Sequence, residues 1–529
     1  LDLSKEIMSF PEKDPGSNPI HVGVMYANTY PVAMASLGYQ TILRMTGTYP
    51  GVVAHRILLE GSDGRKYPKK TLEEGLEIRS LDAIFISCSF ELDYLHLVRM
   101  LNEAGIPVLR KDRKALPLVV VGGVAPSANP ESLAMIADII GIGEGEVLLQ
   151  EIIRKILIYH PYLQGAGFLS TREKFYEDLD TIEGVYVPAL WEDDKGNFVP
   201  QDGRKIQQAS VENPNDYESY TPIISPDGVY GAKNLIEVGR GCPTNCRFCL
   251  VSFIFKSGRD RSRENILKNA HRYEPEKASI GLVSSSLSDH PDVPGIISDL
   301  ADEGYQVSVS SCKISSTTKQ LVEALAKAQA RSITYAPEHG SEKMRKIIGK
   351  LYLYEEVRER CEWAFDAGLR KVKMYFLTGF DEETDEDLAA TPDFVRSICS
   401  DLEIGKRKGA RILIGIAPLV PKAITPFQRR GMQEEKELNR KLKVVIDSFK
   451  KDPHVEIEFE SPRASIVQGA LSINGREITG HLVHVSRSRG NILRGWEDAL
   501  KEVGTGPRES VLRGKKFGEE LPWSFVKRG

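Results

Sequence analysis

The chain has 529 residues with 70 Lys plus Arg against 74 Asp plus Glu, a formal charge of −4, so it can hold about three domains of ordinary size, each with its own core. It carries no acidic or basic tail of the kind that binds nucleic acid or a membrane surface, and no apolar run approaches the roughly 20 residues of a membrane span. Residues 1–20 hold acids and prolines where a secretion signal needs an apolar stretch, and three of the seven cysteines crowd into eight positions. That cysteine usage points to a metal site in a reducing compartment rather than a disulfide framework, and hence to a cytoplasmic protein without nucleic-acid or membrane partners.

From about residue 20 to 155, short β-branched runs alternate with longer helical patterns: HVGVMYA (21–27), GVVAHRILLE (51–60), LDAIFISCSF (81–90), LPLVVVGG (116–123) and ADIIGIG (137–143). This predicts a parallel, doubly wound α/β domain over 1–160. In such sheets ligands sit beyond the carboxyl ends of the strands. The residues there are Asn28, Thr29 and Tyr30 after the first run, Ser87, Cys88 and Ser89 after the third, Gly122 and Gly123 after the fourth, and Gly143 and Glu144 after the fifth. Residues 161–230 mix Gly, Pro, Asn and Tyr with weak periodicity and read as a linker with a hairpin or two.

Over 231–430 the βα alternation resumes with NLIEVGRG, ASIGLVSSS, YQVSVSS, RSITYAPE, RKVKMYFLTG and RILIGIAPL. Six such units suggest a partial (β/α)6 barrel whose reactive face lies at the strand C-termini, by analogy with complete barrels. Residues 431–529 begin with a long charged amphipathic helix and continue with strands and helices whose order the pattern does not give, read as a small C-terminal α/β domain. There is no short-period repeat and no low-complexity tract.

The chemistry sits in GCPTNCRFC, a C-x3-C-x2-C spacing directly after a predicted strand. Cys242, Cys246 and Cys249 can ligate three irons of a [4Fe-4S] cubane and leave the fourth iron open to an amino and a carboxylate group. A structural zinc site wants four closed ligands, and no fourth Cys or suitably spaced His lies near, His271 being some way downstream. Phe248, before the last cysteine, sets a flat side chain beside an adenine or joins the core.

With this motif, VMYANTYPVAMASLGYQTI, VVVGGVAPSANPES, GIGEGE, GLVSSSLSDHP, SITYAPEHGSEKMRK and IAPLVPKAITPFQ follow in an order that resembles the radical S-adenosylmethionine (SAM) superfamily. Within it, they look like the family whose Rossmann-like N-terminal domain binds cobalamin, and the resemblance covers most of the chain. It implies three cofactors: a [4Fe-4S] cluster on the three cysteines, SAM and cobalamin. Ser284, Ser285, Ser286, Ser310, Ser311 and Glu338 then become hydrogen-bonding partners of SAM, although Ser and Glu at strand ends usually cap the next helix. Ala417, Pro418 and Leu419 would pack on the adenine or in the core. Ser87, Ser89, Gly122 and Gly123 suit close approach of a corrinoid, while glycine turns are common after strands in any α/β domain.

One departure stands out. The D-x-H-x-x-G loop that supplies a histidine to cobalt in many cobalamin domains is absent, the first strand being followed by YANTYPVAMASLG. The lower face of cobalt would be open, met by water, or approached by Tyr26, Asn28, Tyr30 or Met34. The implied activity is a C-methyltransferase that methylates an unactivated carbon through a 5′-deoxyadenosyl radical and methylcobalamin. Enzymes that methylate a protein backbone α-carbon, the glutamine C-methyltransferases of methyl-coenzyme M reductase among them, match in size and layout. Such a monomer would take a protein or peptide substrate and a reductase or a flavodoxin- or ferredoxin-type electron donor. The alternatives are ring formation or rearrangement without methyl transfer, a methylthiotransferase, against which the missing second cysteine triad argues, and a non-catalytic sensor. Cys88, Cys312, Cys361 and Cys399 show no metal spacing, and core or surface roles suit His290 and His339.

Overall fold

The computed structural model describes residues 2–11, 16–61, 66–164, 167–201, 203–255, 258–274 and 278–528. All five N-terminal apolar runs form strands: β1 (Ile20–Thr29), β2 (Val52–Leu59), β3 (Ala83–Ser87), β4 (Leu118–Gly122) and β5 (Ile139–Gly141). With β6 (Val185–Tyr186) they form one sheet in the order β2-β1-β3-β4-β5-β6, parallel except for the last pair. Strand order reverses at β1, so the crevice between β1 and β3 is the place where ligands bind in sheets of this winding. Helices cover both faces, with α1 (Leu37–Gly47) and α3 (Gly145–Tyr159) on one side and α2 (Asp93–Glu103) on the other. Burial on both faces explains why β3 and β4 read as unbroken apolar runs.

The second sheet system holds β7 (Lys233–Glu237), β8 (Ser279–Val283), β9 (Val307–Val309), β10 (Ser332–Glu338), β11 (Lys371–Thr378) and β12 (Arg411–Pro418), the six strands predicted, all parallel. A bridge between Cys312 and Tyr335 joins its two halves. A seventh strand, β13 (Val455–Phe459), extends it after α4 (Glu435–Phe449), the amphipathic helix noted in the sequence. Both elements come from the region read as C-terminal.

The segment read as a linker is largely built into the fold. It contains a helix over Gly167–Leu179 and the sixth strand of the first sheet, while Ile206–Gln207 pairs with Val526–Lys527 and Ile223–Ile224 with Ile7–Met8. Such two-residue strands have too little sequence for periodicity to show, and most of their partners lie far away in the chain. Gly165, Ala166 and Asp202 of that segment lie outside the described residues.

The tail folds as α5 (Pro462–Ile473), α6 (Thr479–Arg487), α7 (Ile492–Glu502) and α8 (Gly506–Arg513). These helices return to the first sheet: Ile466, Leu471, Leu482 and Trp496 share one core with Met25, Ile86, Leu95 and Val121. The APSANPES stretch is their seat. Asn129 Nδ2 donates to the carbonyls of Ser472 (2.9 Å) and Asn474 (2.8 Å), and Ser132 Oγ donates to those of Leu471 and Asn474. Arg476 pairs with Glu131 and Glu192, each at 2.7 Å.

Candidate active site at the seam between sheet and barrel

Beyond β7, Gly239–Arg240 pairs antiparallel with Arg259–Asp260, so the three cysteines sit in an excursion pinned at its neck. Gly241 (φ +84°) and Asn245 (φ +54°) turn the chain, and the Cys249 N–H donates to the Cys246 carbonyl at 3.0 Å. The loop leans on the helix Glu342–Ile348: Arg247 donates through its backbone N–H to Ile348 O (3.0 Å) and through its guanidinium to Ile347 O (3.1 Å). Cys246 is buried, and Cys242 and Cys249 are half-buried. Burial pushes the Cys246 thiol up to about 11 and raises that of Cys249, so these groups become thiolates only against a positive partner such as iron. Among the described residues, His271, Glu274 and Glu303 form the one group of three such ligands with atoms within 4.8 Å of one another. Sulfurs on one tetrahedral zinc would stand about 3.8 Å apart. The three cysteine sulfurs do not all lie within 4.8 Å of one another, as one such zinc would require.

Beside Cys246 stands a pair that the sequence did not reveal in full. Lys350 Nζ lies 3.3 Å from Glu338 Oε1 and donates to Ala336 O. Burial raises the Glu338 carboxyl; for Lys350, burial opposes the charge, yet Glu338 and Cys246 beside it keep the ammonium above its usual value. Glu338 takes φ +65°, rare for a residue with a Cβ. A lone lysine after Gly349 carries no spacing signal.

The serines interlock. Ser310 Oγ donates to Ser284 O (2.8 Å) and accepts from Ser284 N, Ser286 N donates to Ser284 Oγ, and Ser286 Oγ donates to Gly241 O. They tie the ends of β8 and β9 to the cysteine loop, while Ser285 and Ser311 are exposed. Phe248 packs on a cluster of Met344, Ile348, Phe380, Leu419 and Phe427. His290 and His339 are buried and bonded internally, His339 to Glu383 at 3.0 Å and His290 to Arg261 O. Cys88, Cys312 and Cys361 are buried.

Between this neck and the ends of β3, β4 and β5 lies a cavity of about 350 Å³. Ser87, Ser89, Gly122, Gly123, Gly143 and Glu144 line it from one side, Ser284 and Ser285 from the other. Phe85, Val120, Leu148 and Ile152 make its walls apolar. The glycines differ in role. A Cβ at Gly123 (φ +113°) would meet Cys88 O at 2.2 Å and one at Gly143 (φ +125°) would meet Ala209 O at 2.1 Å, whereas the nearest atom to one at Gly122 is 3.9 Å away. Gly123 and Gly143 thus serve the close approach of chain to chain, whereas a Cβ at Gly122 would fit at ordinary contact distance.

Glu144 is in the wall, but its carboxylate is taken by Arg240 (3.0 Å) and Arg259 (2.5 Å). Arg240 also holds Glu146 (2.6 Å) and Glu237 (2.8 Å). For Glu237, burial is outweighed by Arg240 and Arg261, which bring its carboxyl down to about 2. This network welds the GEGE turn to the neck of the cysteine loop.

Tyr26, Asn28, Thr29, Tyr30 and Met34 lie outside the cavity wall, unlike the expectation from the strand end. The register of β1 shifts between Tyr26 and Thr29, and the chain turns away there. Tyr30 donates to Glu6 at 2.5 Å, inside a cluster with Arg56, which Met34 also touches. Asn28 donates to Asp93, Thr29 N donates to Asn28 Oδ1, and Tyr26 packs on Tyr39. Leu37, Gly38, Thr41 and Ile42 of α1 face the cavity instead, with Gln208 and Ser219 from the segment read as a linker.

The barrel lumen is different. In parallel register, Lys371 shares a face with Ser332 and Arg411, Lys373 with Thr334, Leu413 and Glu456, and Tyr375 with Gly415 and Glu458. The opposite phase, Val372, Met374, Phe376, Ile412 and Ile414, packs against the helices. Ion pairs Lys371–Glu456 (2.8 Å) and Lys373–Glu458 (2.9 Å) cross the inner face. Closed barrels fill this space with branched side chains; here it is polar and open.

Two family profiles match the chain: radical SAM proteins, N-terminal, over residues 38–188, and the radical SAM superfamily over 236–395. The chain belongs to the radical SAM superfamily. Its first matched segment ends just past β6, inside the stretch read as a linker, and its second runs from β7 past β11, so β12 and β13 extend the radical SAM sheet beyond it. An uncharacterized protein of Methanocaldococcus jannaschii is 25% identical over 468 residues, 87% of this radical SAM chain and 90% of the relative. The ribosomal protein uS12 methylthiotransferase RimO of Thermotoga petrophila is 25% identical over 268 residues, 44% of this chain and 60% of its own. Among solved structures, the radical SAM methyltransferase TsrM from Kitasatospora setae, with cobalamin and a [4Fe-4S] cluster bound, has a TM-score of 0.52 at 13% identity, covering 93% of this chain and 100% of TsrM. The cobalamin-dependent SAM radical enzyme OxsB with aqua-cobalamin bound gives 0.50 at 16%, covering 93% and 72%. These structural likenesses are likenesses of fold, an N-terminal α/β domain and a radical SAM barrel.

Proposed function

We propose that this radical SAM chain is a cobalamin-dependent C-methyltransferase acting on an unactivated carbon. The observation that carries the reading is the apolar cavity at the ends of β3, β4 and β5, closed on its far side by the neck of the cysteine loop. The donor sets fit the groups required. Cys242, Cys246 and Cys249 would hold a [4Fe-4S] cluster, and the apolar cavity beside Gly122 would take one part of a corrinoid, the rest of which would extend beyond it. When bound, the cluster with SAM supplies a carbon-centred radical and the corrinoid supplies the methyl group.

The chain's own part is placement and exclusion of water. Glu338, held by Lys350, would accept from hydroxyl or ammonium donors of SAM; Ser284 and Ser285 line the cavity. The Arg240 network fixes the distance between the two cofactor sites, because both its carboxylate partners and the cysteine loop end on it. The open lumen receives the substrate, a protein or peptide such as the glutamine segment of methyl-coenzyme M reductase. A reductase or a flavodoxin- or ferredoxin-type carrier supplies the electron, and the enzyme works as a cytoplasmic monomer.

Anaerobic reconstitution with iron, sulfide and hydroxocobalamin, followed by gel filtration and metal analysis, tests this reading. About four irons and one cobalt per chain are expected. Iron without cobalt would remove the cobalamin half. Mass analysis of product then separates methyl transfer, which adds one CH2 unit, from ring formation or rearrangement, which adds none.

A further inference from the structure

We infer that His339 is a positioning residue that holds the Glu338 carboxylate toward SAM, an inference that rests on the role given to Glu338 above. Glu338 is the last residue of β10, and the pairing of β10 with β11 slips between Tyr335 and Glu338. Irregularities of this kind re-aim a side chain at the end of a strand. The His339 N–H donates back to Pro337 O at 2.8 Å, so Glu338, with its φ of +65°, is the middle of a three-residue turn of the rare and strained kind. Such a turn persists only where its surroundings hold it.

His339 supplies that hold. Its ring is buried and bonded on both nitrogens. The Ser341 N–H donates to Nδ1 at 3.0 Å, and a backbone N–H only donates, so Nε2 carries the hydrogen given to Glu383 Oε1 at 3.0 Å. Glu383 also accepts from Lys441 Nζ (2.8 Å), Thr378 Oγ1 (3.0 Å) and the Gly379 N–H (2.9 Å). Burial opposes the charge of Glu383, yet His339 and Lys441 bring its carboxyl below the usual value, so it stays an acceptor. Thr378 ends β11 and Lys441 belongs to α4, so the imidazole ties the turn to the neighbouring strand end and to a helix. From the other side, Arg345 donates to the carbonyls of His339 (3.1 Å) and Gly340 (2.7 Å), and a Cβ at Gly340 would meet Ala390 O at 2.2 Å. Both ring nitrogens are spent on protein partners, so His339 acts through the backbone it shares with Glu338 rather than by touching SAM.

The test is a double-mutant cycle read in SAM affinity, with dissociation constants measured by equilibrium dialysis on anaerobically reconstituted protein. His339→Phe, whose ring can bond neither Ser341 nor Glu383, is expected to bind SAM about tenfold more weakly, and His339→Gln, which keeps an amide donor for Glu383, to stay within about threefold of wild type. Glu338→Gln should weaken SAM binding by about tenfold or more. Adding His339→Phe to it should weaken binding no further, since a residue acting through Glu338 then has nothing left to position. Iron content and thermal midpoint show whether His339→Phe is folded; if it is not, His339→Asn, too short to reach Glu383, takes its place. SAM bound as in wild type by His339→Phe, or a loss that adds in full to that of Glu338→Gln, overturns the inference and leaves the role of Glu338 standing. SAM bound as in wild type by Glu338→Gln overturns that role and the inference with it.

Discussion

The strand ends of the first sheet and the inner face of the barrel are built from the same βα alternation and have opposite chemistry. In the first sheet, β3 and β4 are apolar on both faces, and the cavity at their ends is walled by Phe85, Val120 and Leu148. In the barrel only one phase is apolar; the other places Lys371, Lys373, Tyr375 and Glu458 on the lumen. On the proposed reading, the first arrangement would seat a large cofactor by packing, and the second would keep water or a polar substrate near the cysteine loop. The difference lies in the phase of the pattern rather than in the topology.

If the two regions have separate tasks, they should fail separately. Cys246→Ala should abolish 5′-deoxyadenosine formation from SAM, by at least about a thousandfold, and lower iron to background, while cobalt uptake persists; loss of cobalt in parallel would show that the regions are not independent. Arg240→Met joins them in failure: it takes from Glu146 its Arg240 partner and leaves Glu144 and Glu237 to Arg259 and Arg261 alone, and should destabilise the seam by about 3–5 kcal/mol, read as a lower denaturation midpoint. Gly123→Ala should act on the first sheet alone, costing about 1–3 kcal/mol for its φ of +113° and more for the clash with Cys88 O, with iron retained after reconstitution.

The seam should also respond to acid. Glu237 is depressed from 4.5 to about 2, so its contribution is complete above the unfolded value and is lost as pH falls through the folded one. Tryptophan fluorescence followed from pH 6 downward should stay flat to about 4.5 and change between there and about 2, and in Arg240→Met the loss should begin at higher pH. The smallest effect belongs to the lumen. Lys373→Ala removes a half-exposed pair with Glu458 and should shift stability by less than about 1 kcal/mol. Its signature is methylated product formed per 5′-deoxyadenosine, which should fall while SAM cleavage itself is unchanged.

Much of this arrangement was legible in the residues. The five apolar runs and six barrel strands announced themselves by periodicity, and the cysteine spacing by count. What stayed hidden depended on distant partners. β6 and the Ile206–Gln207 strand are two residues long, and β13 lies behind a helix that reads as the start of another region. The docking of the tail rests on Asn129 and Ser132 reaching carbonyls more than 300 residues away. Lys350 gains meaning only beside Glu338, and His339 only beside Glu383. Of the tyrosines expected at the site, Tyr30 lies beyond a register shift that composition does not reveal and bonds Glu6, while Tyr26, still in register in β1, packs on Tyr39.

The most direct test of the central claim fills the cavity without touching the cluster. A Cβ at Gly122 has its nearest neighbour at 3.9 Å, and Gly122 lines the cavity, so Gly122→Leu is expected to fold, which its thermal midpoint and iron content check. Metal analysis of the anaerobically reconstituted variant is predicted to find about four irons and no cobalt per chain. Cobalt bound as in wild type would contradict the account, because the corrinoid would then have to sit elsewhere.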